Sequence, residues 1–238
     1  MKKYFYKVTF LFMITLLSNF LTAQDQTQDI PGNWLMYFGT NRIADDWSIH
    51  SEVQYRNHTV APVNIEQLLL RTGLNYHISK SATVTLGYGY IPSYDYIDEE
   101  SELSSTENRI FQQLIMTNKV GRVKFEHRYR YEQRWVKREA TDETTYRDRW
   151  RYRLMAFIPL NKSTFEQGTL FLGIYDEIFM NTEDTFFDRN RFYVALGYQI
   201  NKMTQVQAGY LRQRINPWGK NYLQFAVVYN TDFRKAEQ

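Results

Sequence analysis

From Trp34 almost to the C-terminus, apolar and polar side chains alternate with a period of two. The clearest stretch runs from Arg122 to Val136. One set of alternate residues is Val123, Phe125, His127, Tyr129, Tyr131, Gln133 and Trp135; the other is Arg122, Lys124, Glu126, Arg128, Arg130, Glu132, Arg134 and Val136. Successive strand side chains point to opposite faces, so this segment has an aromatic face and a charged face. The same periodicity predicts strands at 33–42, 47–57, 64–77, 82–93, 108–118, 122–137, 145–158, 168–180, 188–200, 203–214 and 221–232. One face of each is apolar: Trp47, Ile49, Val53 and Tyr55 in the second, Leu68, Leu70, Leu74 and Tyr76 in the third, Val84, Leu86, Tyr88 and Tyr90 in the fourth. The ninth offers Phe192, Val194, Leu196 and Tyr198, and the last Leu223, Phe225, Val227 and Tyr229.

Two architectures answer this pattern. A soluble β-sandwich or lipocalin-like barrel would turn the apolar face inward and the charges out to water. An antiparallel up-and-down transmembrane β-barrel does the reverse, aiming the apolar face at lipid and the charges at a wet lumen. Glycines decide for the membrane barrel. Gly87, Gly89, Gly173, Gly197 and Gly209 fall on the polar face, where a crowded lumen needs small residues and a solvated exterior does not. Most of the strands reach the roughly 9–11 residues of a tilted membrane crossing. The expected fold is therefore all-β, a barrel of about 10–12 strands. An even number is the rule for bacterial single-chain barrels, which favours ten or twelve over the eleven counted: either one strand is not one, the first being the weakest, or residues 24–33 add a strand or fold through the lumen. Short connections (44–46, 79–81, 118–121, 201–202) alternate with longer polar ones (58–63, 94–107, 138–144, 181–187, 215–220), an order that places the C-terminus in the periplasm.

Composition fits this picture. Aromatic residues make up 17% of the chain, including 19 Tyr, yet the mean hydropathy is −0.55. Residues 1–23 read as a signal peptide: Lys2, Lys3 and Lys7, then the apolar run Val8 to Leu17, then Leu21-Thr22-Ala23 before Gln24. These three lysines are the whole basic excess, which leaves 26 Lys+Arg and 26 Asp+Glu in residues 24–238. The basic pI is thus no argument for nucleic acid. The chain has no cysteine, which excludes a disulfide scaffold. Residues 24–238 show no internal linker and read as one barrel domain.

The strongest chemical feature is a basic ladder. Arg122, Lys124, Arg128, Arg130 and Arg134 share one face of the sixth strand, and Arg147, Arg149, Arg151 and Arg153 one face of the seventh. As hairpin neighbours the two rows would lie side by side in the lumen. Rings of Arg and Lys favour anions, so one reading is a narrow anion-favouring channel, porin-like, for a small anionic solute. The other is a closed structural or surface-interaction barrel, its ladder neutralised by the acidic partners Glu52, Glu126, Glu132, Glu177 and Asp188. Glu107 is a further candidate neighbour.

Other chemistry is thin. The acidic segment with Asp95, Asp98, Glu99, Glu100, Glu102 and Glu107 lacks the spacing of a calcium loop, so no metal and no cofactor are expected. None of His50, His58, His77 and His127 sits in a nucleophile motif, and no catalytic residue is assigned. A rim-site hydrolase using His58 is the weakest alternative. Trp34, Trp47, Trp135, Trp150 and Trp218 suit interface girdles. His127 falls on the lipid-facing set.

The run Arg147-Asp148-Arg149-Trp150-Arg151-Tyr152-Arg153-Leu154, ending in Ile158-Pro159-Leu160, has a family character. So do Asp176-Glu177-Ile178-Phe179 with Asn181, Asp188-Arg189-Asn190-Arg191-Phe192-Tyr193, and Leu196-Gly197-Tyr198. With Trp34 and Gly209-Tyr210, these resemble the domain-of-unknown-function family 2490 over nearly all of residues 24–238. That resemblance implies a Gram-negative outer-membrane barrel, delivered by the barrel assembly machinery and partnered by outer-membrane lipid. It supplies no substrate and no catalytic residue.

Overall fold

The computed structural model describes residues 26–27, 31–97, 100–183, 185–215 and 217–234. The expected signal peptide, 1–23, lies outside the described residues, as do Asp98 and Glu99. Eleven long strands follow one another: β1 Gly32–Arg42, β2 Trp47–Asn57, β3 Ile65–Ser79, β4 Ala82–Ile97, β5 Glu100–Val120, β6 Val123–Arg138, β7 Thr144–Pro159, β8 Leu170–Asn181, β9 Phe187–Gln199, β10 Thr204–Ile215 and β11 Trp218–Asp232. Each pairs antiparallel with the next. β11 then pairs in parallel with β1, from Tyr222 opposite Gly32 to Asp232 opposite Arg42, and closes the barrel. A two-residue bridge, Gln26–Thr27, extends this seam along Trp218 and Gly219.

The strand count lies inside the expected range but is odd, against the preference for ten or twelve. In an up-and-down meander an odd count makes the first and last strands point the same way, so closure has to be parallel. Nineteen-stranded barrels face the same parity constraint. The consequence is that β1 starts at one rim and β11 ends at the other; we call these the N-terminal and C-terminal rims.

The connections correct the expected alternation of loop lengths. The C-terminal rim has tight turns at 43–46, 121–122 and 200–203, but also the long 160–169 segment. Gly121 takes a φ of 59° in the two-residue β5–β6 turn, where a side chain would be strained. At the N-terminal rim the expected loop over 94–107 is instead a ribbon. β4 and β5 continue pairing through Asp95 opposite Glu102 and Tyr96 opposite Ser101. Tyr94 and Tyr96 extend the alternation on β4, but on β5 the residues from Glu100 to Thr106 offer Leu103 alone, so periodicity did not find the pairing.

The polarity is inside-out relative to a soluble barrel. Leu35, Ile49, Leu74, Leu86, Leu196 and Phe225 are exposed on the outer surface, whereas Glu52, Arg109, Arg130, Glu132 and Arg151 are buried inside. The soluble alternative required the reverse. On β3 the outward row Leu68 to Ile78 spans ten residue steps, about 25 Å once a tilt near 40° is allowed for. Aromatic pairs cross β6 and β7 on this surface, with Tyr131 and Trp150 ring centroids 4.7 Å apart and Tyr129 and Tyr152 5.0 Å apart. Outward polar groups find partners: Tyr131 Oη donates to Asp148 over 2.7 Å, and His127 lies 3.0 Å from Tyr152 Oη.

Two of the inward glycines are explained by rings. Phe111 lies opposite Gly87, and Phe171 opposite Gly197. A Cβ on Gly87 or Gly197 would come within 2.2 or 2.1 Å of the facing ring. Each glycine is the floor on which an aromatic side chain lies flat inside the barrel.

Candidate functional site

The two ladder rows do come together. β6 and β7 are hairpin neighbours, with Arg128 opposite Arg153, Arg130 opposite Arg151, and Glu132 opposite Arg149. Two directly opposed guanidinium pairs would repel unless carboxylates stood between them. Glu132 and Glu177 take that place.

Glu132 is fully buried and is the centre of a charge knot. It accepts hydrogen bonds from Arg109 Nη1 (3.1 Å), Arg149 Nε (3.2 Å) and Nη2 (2.6 Å), and Arg151 Nη1 (2.6 Å). Arg151 also donates to Glu177 through Nε (3.0 Å) and Nη2 (2.7 Å), and Arg128 Nη2 joins it there at 2.6 Å. Glu107 receives both arms of the Arg134 fork at 2.8 Å each, plus Arg109 Nε at 2.6 Å. Asp188 accepts from Arg149 Nη1 at 2.5 Å and from Arg189 Nε at 3.1 Å. Phe179 lies under this layer, with Arg151 4.2 Å and Arg191 4.7 Å from its ring centroid. Buried charges persist when paired and hydrogen-bonded in this manner. The knot lies in the lumen towards the N-terminal rim.

Some predicted members stand apart. Arg122 lies in the exposed β5–β6 turn, outside the lumen, because the strand starts one residue later. Arg147 is on the inward-facing set but exposed at the N-terminal rim, beyond the packed layer. Glu126 serves Arg153 alone, at 2.5 Å. Glu52 pairs with Arg71 of β3 at 2.7 Å rather than with the ladder. Lys124 lies 5.5 Å from the Phe157 ring. His58 hydrogen-bonds the Tyr94 carbonyl oxygen at 3.0 Å. Ser48 touches His77 Nε2 at 2.8 Å, but Ser48 has no solvent exposure and cannot meet a substrate.

Sequence reasoning left four interior cations out of the candidate site: Arg56, Arg71 and Arg109, each the single buried arginine of its strand, and Arg191, which shares β9 with Arg189. It also misplaced Trp34. Rather than joining a girdle, Trp34 is 2% exposed inside the barrel, with the Arg56 guanidinium 3.8 Å and the Arg191 guanidinium 4.8 Å from its ring. Trp47 and Trp150 are on the outer surface as expected, whereas Trp218 is exposed at the N-terminal rim, on the same alternate set as the enclosed Tyr222 and Gln224. A register count from Arg56, opposite Trp34, was the signal that would have placed the indole inside.

The interior is not neutral. Eight arginines are buried (Arg56, Arg71, Arg109, Arg128, Arg130, Arg149, Arg151, Arg191) against four buried glutamates (Glu52, Glu107, Glu132, Glu177). On the C-terminal side of the knot the lumen holds a vestibule of about 390 Å³, lined by Arg128 and Arg130 next to the knot and by Lys124, His77 and Asn230 near the rim. Among the described residues no cluster of ligating side chains suits a metal ion.

No match was found among curated proteins. A family model described as a protein of unknown function (DUF2490) matches residues 31–224, the span from the start of β1 into β11. The chain belongs to this family.

Proposed function

We propose that the chain is an integral outer-membrane β-barrel with a lumen closed by its own charge knot, a structural or surface-interaction barrel and not an open channel. The observation that carries this reading is Glu132, which has no solvent exposure and is held by three arginines from β5 and β7. A path for ions along the axis would have to break that layer. Membrane residence is supported by the inverted polarity and by the apolar band of about 25 Å, the height such barrels present to lipid. The tight turns and the end of β11 suit a C-terminal rim in the periplasm.

The anion-favouring channel keeps one observation in its favour, the excess of buried guanidinium groups over carboxylates. Planar-bilayer recording of the refolded chain separates the two. Folding is verified beforehand by heat-dependent gel mobility. A folded barrel without stepwise current is expected. Discrete anion-selective steps, altered by Arg130→Met, would establish the channel instead.

A further inference from the structure

The vestibule is the feature that the charge knot does not account for. Arg130 stands at its inner end, 2% exposed. Its Nε and Nη2 donate to Gln113 Oε1 at 2.9 and 2.6 Å, and Phe111 lies 4.6 Å from the guanidinium carbon. Its Nη1 has no hydrogen-bond partner. The carboxylate oxygen it approaches, Glu132 Oε1, is 3.6 Å away and already serves Arg109 and Arg151. Arg130 is thus an additional cation on a carboxylate whose hydrogen-bonding capacity is taken. Arg130 therefore brings to the inner end of the cavity a positive charge that no hydrogen-bonded carboxylate offsets, which favours an anion there.

The surroundings define that anion. Charged residues lining the vestibule are Lys124, Arg128, Arg130 and Arg153 against Glu52 and Glu126, a net excess of positive charge. Above this inner end the wall is apolar and aromatic, with Phe38, Met155, Phe157, Tyr175 and Val228. The side amides of Gln205, Gln207 and Gln224 are spaced between them. A charged end, apolar sides and a few amides are the makings of a site for an organic anion. The strand wall separates the space from the outer surface, and the rim-side lining leads to the C-terminal turns, so the ligand enters from water.

We infer that the vestibule is a binding cup for a small organic anion with an apolar body, its carboxylate or phosphate head on Arg130 and its body against Met155 and Phe157. This rests on the closed-barrel reading, since an open lumen would pass such a solute through. The test uses the full chain without its signal segment in zwitterionic lipid nanodiscs. 4-Fluorobenzoate and 4-fluorophenyl phosphate are titrated and followed by fluorine NMR, with 4-fluorobenzyl alcohol as the uncharged control. Saturable binding of either anion, well above the alcohol, is expected. Arg130→Met should weaken it roughly tenfold or more, the scale of a lost charge-assisted hydrogen bond. Val228→Trp, which fills the cup and leaves every charge in place, should abolish it; this variant decides the matter if Arg130→Met does not fold. Absent binding of both anions, or binding untouched by Val228→Trp, in a barrel without conductance overturns the cup and leaves the closed barrel standing. Stepwise current overturns the reading beneath it.

Discussion

Replacing Glu132 by Gln removes one negative charge from the centre of the knot while keeping the side chain's size. The four hydrogen bonds it accepts all come from guanidinium groups. Charged hydrogen bonds contribute about 1.5–3 kcal/mol each, which sets a ceiling of roughly 6–12 kcal/mol. The loss falls short of that ceiling because each arginine retains a second carboxylate. Arg109 keeps Glu107, Arg149 keeps Asp188, and Arg151 keeps Glu177. The expected cost is that of leaving a buried charge uncompensated, about 3–5 kcal/mol. Urea unfolding of the barrel from lipid vesicles, read by tryptophan fluorescence, measures it. Glu126→Gln is the internal comparison. Glu126 is partly exposed, bonds to Arg153 alone, and should cost about 1 kcal/mol. Equal costs for the two variants, or a Glu132→Gln cost below about 1 kcal/mol, would refute the claim that the knot is centred on Glu132.

Other expectations follow from the same structure. Gly197→Ala sets a Cβ against the Phe171 ring at 2.1 Å and should destabilise the barrel by about 1–3 kcal/mol through overpacking; an unchanged urea midpoint would contradict that packing. Leu86→Arg, at an outward position 61% exposed, should cost about 2–4 kcal/mol in a bilayer. A water-facing surface would tolerate it within about 0.5 kcal/mol, so refolding equilibria in vesicles discriminate. The parallel seam puts Leu35 opposite Phe225. Since the chain has no cysteine, the pair Leu35→Cys and Phe225→Cys should crosslink on oxidation and shift gel mobility. Failure here, with crosslinking at Leu35 and Val206 of β10 instead, would show that the barrel closes elsewhere.

The fold was largely legible because each outward face is a run of apolar side chains, and a period of two leaves little freedom of register. Leu68 to Tyr76 and Val84 to Tyr90 read correctly for that reason, and the β6–β7 ladder was visible because nine basic residues fall in two alternating rows. What escaped notice had no such contrast. In the 94–107 ribbon the second strand, Glu100 to Thr106, has Leu103 as its one large apolar residue, so alternation does not separate strand from loop there. Arg71 and Arg109 are each the single buried arginine of their strand, so no alternating basic row marked them. Trp34 suits an interface and an interior equally, since its ring can meet lipid or two guanidinium groups. The odd strand number was present in the eleven runs, but the usual parity of such barrels argued against it. Only the pairing of β1 with β11 resolves that conflict.

The central claim is that the apolar surface faces lipid and the charged surface is enclosed. Single-tryptophan variants in brominated-lipid vesicles test it most directly. One retains Trp150, half-exposed on the outer surface, and the other retains Trp34, enclosed between Arg56 and Arg191. Strong quenching of Trp150 with Trp34 largely spared is the predicted result. Trp150 left unquenched in vesicles where the barrel is folded, or Trp34 quenched as strongly, would contradict the inside-out arrangement.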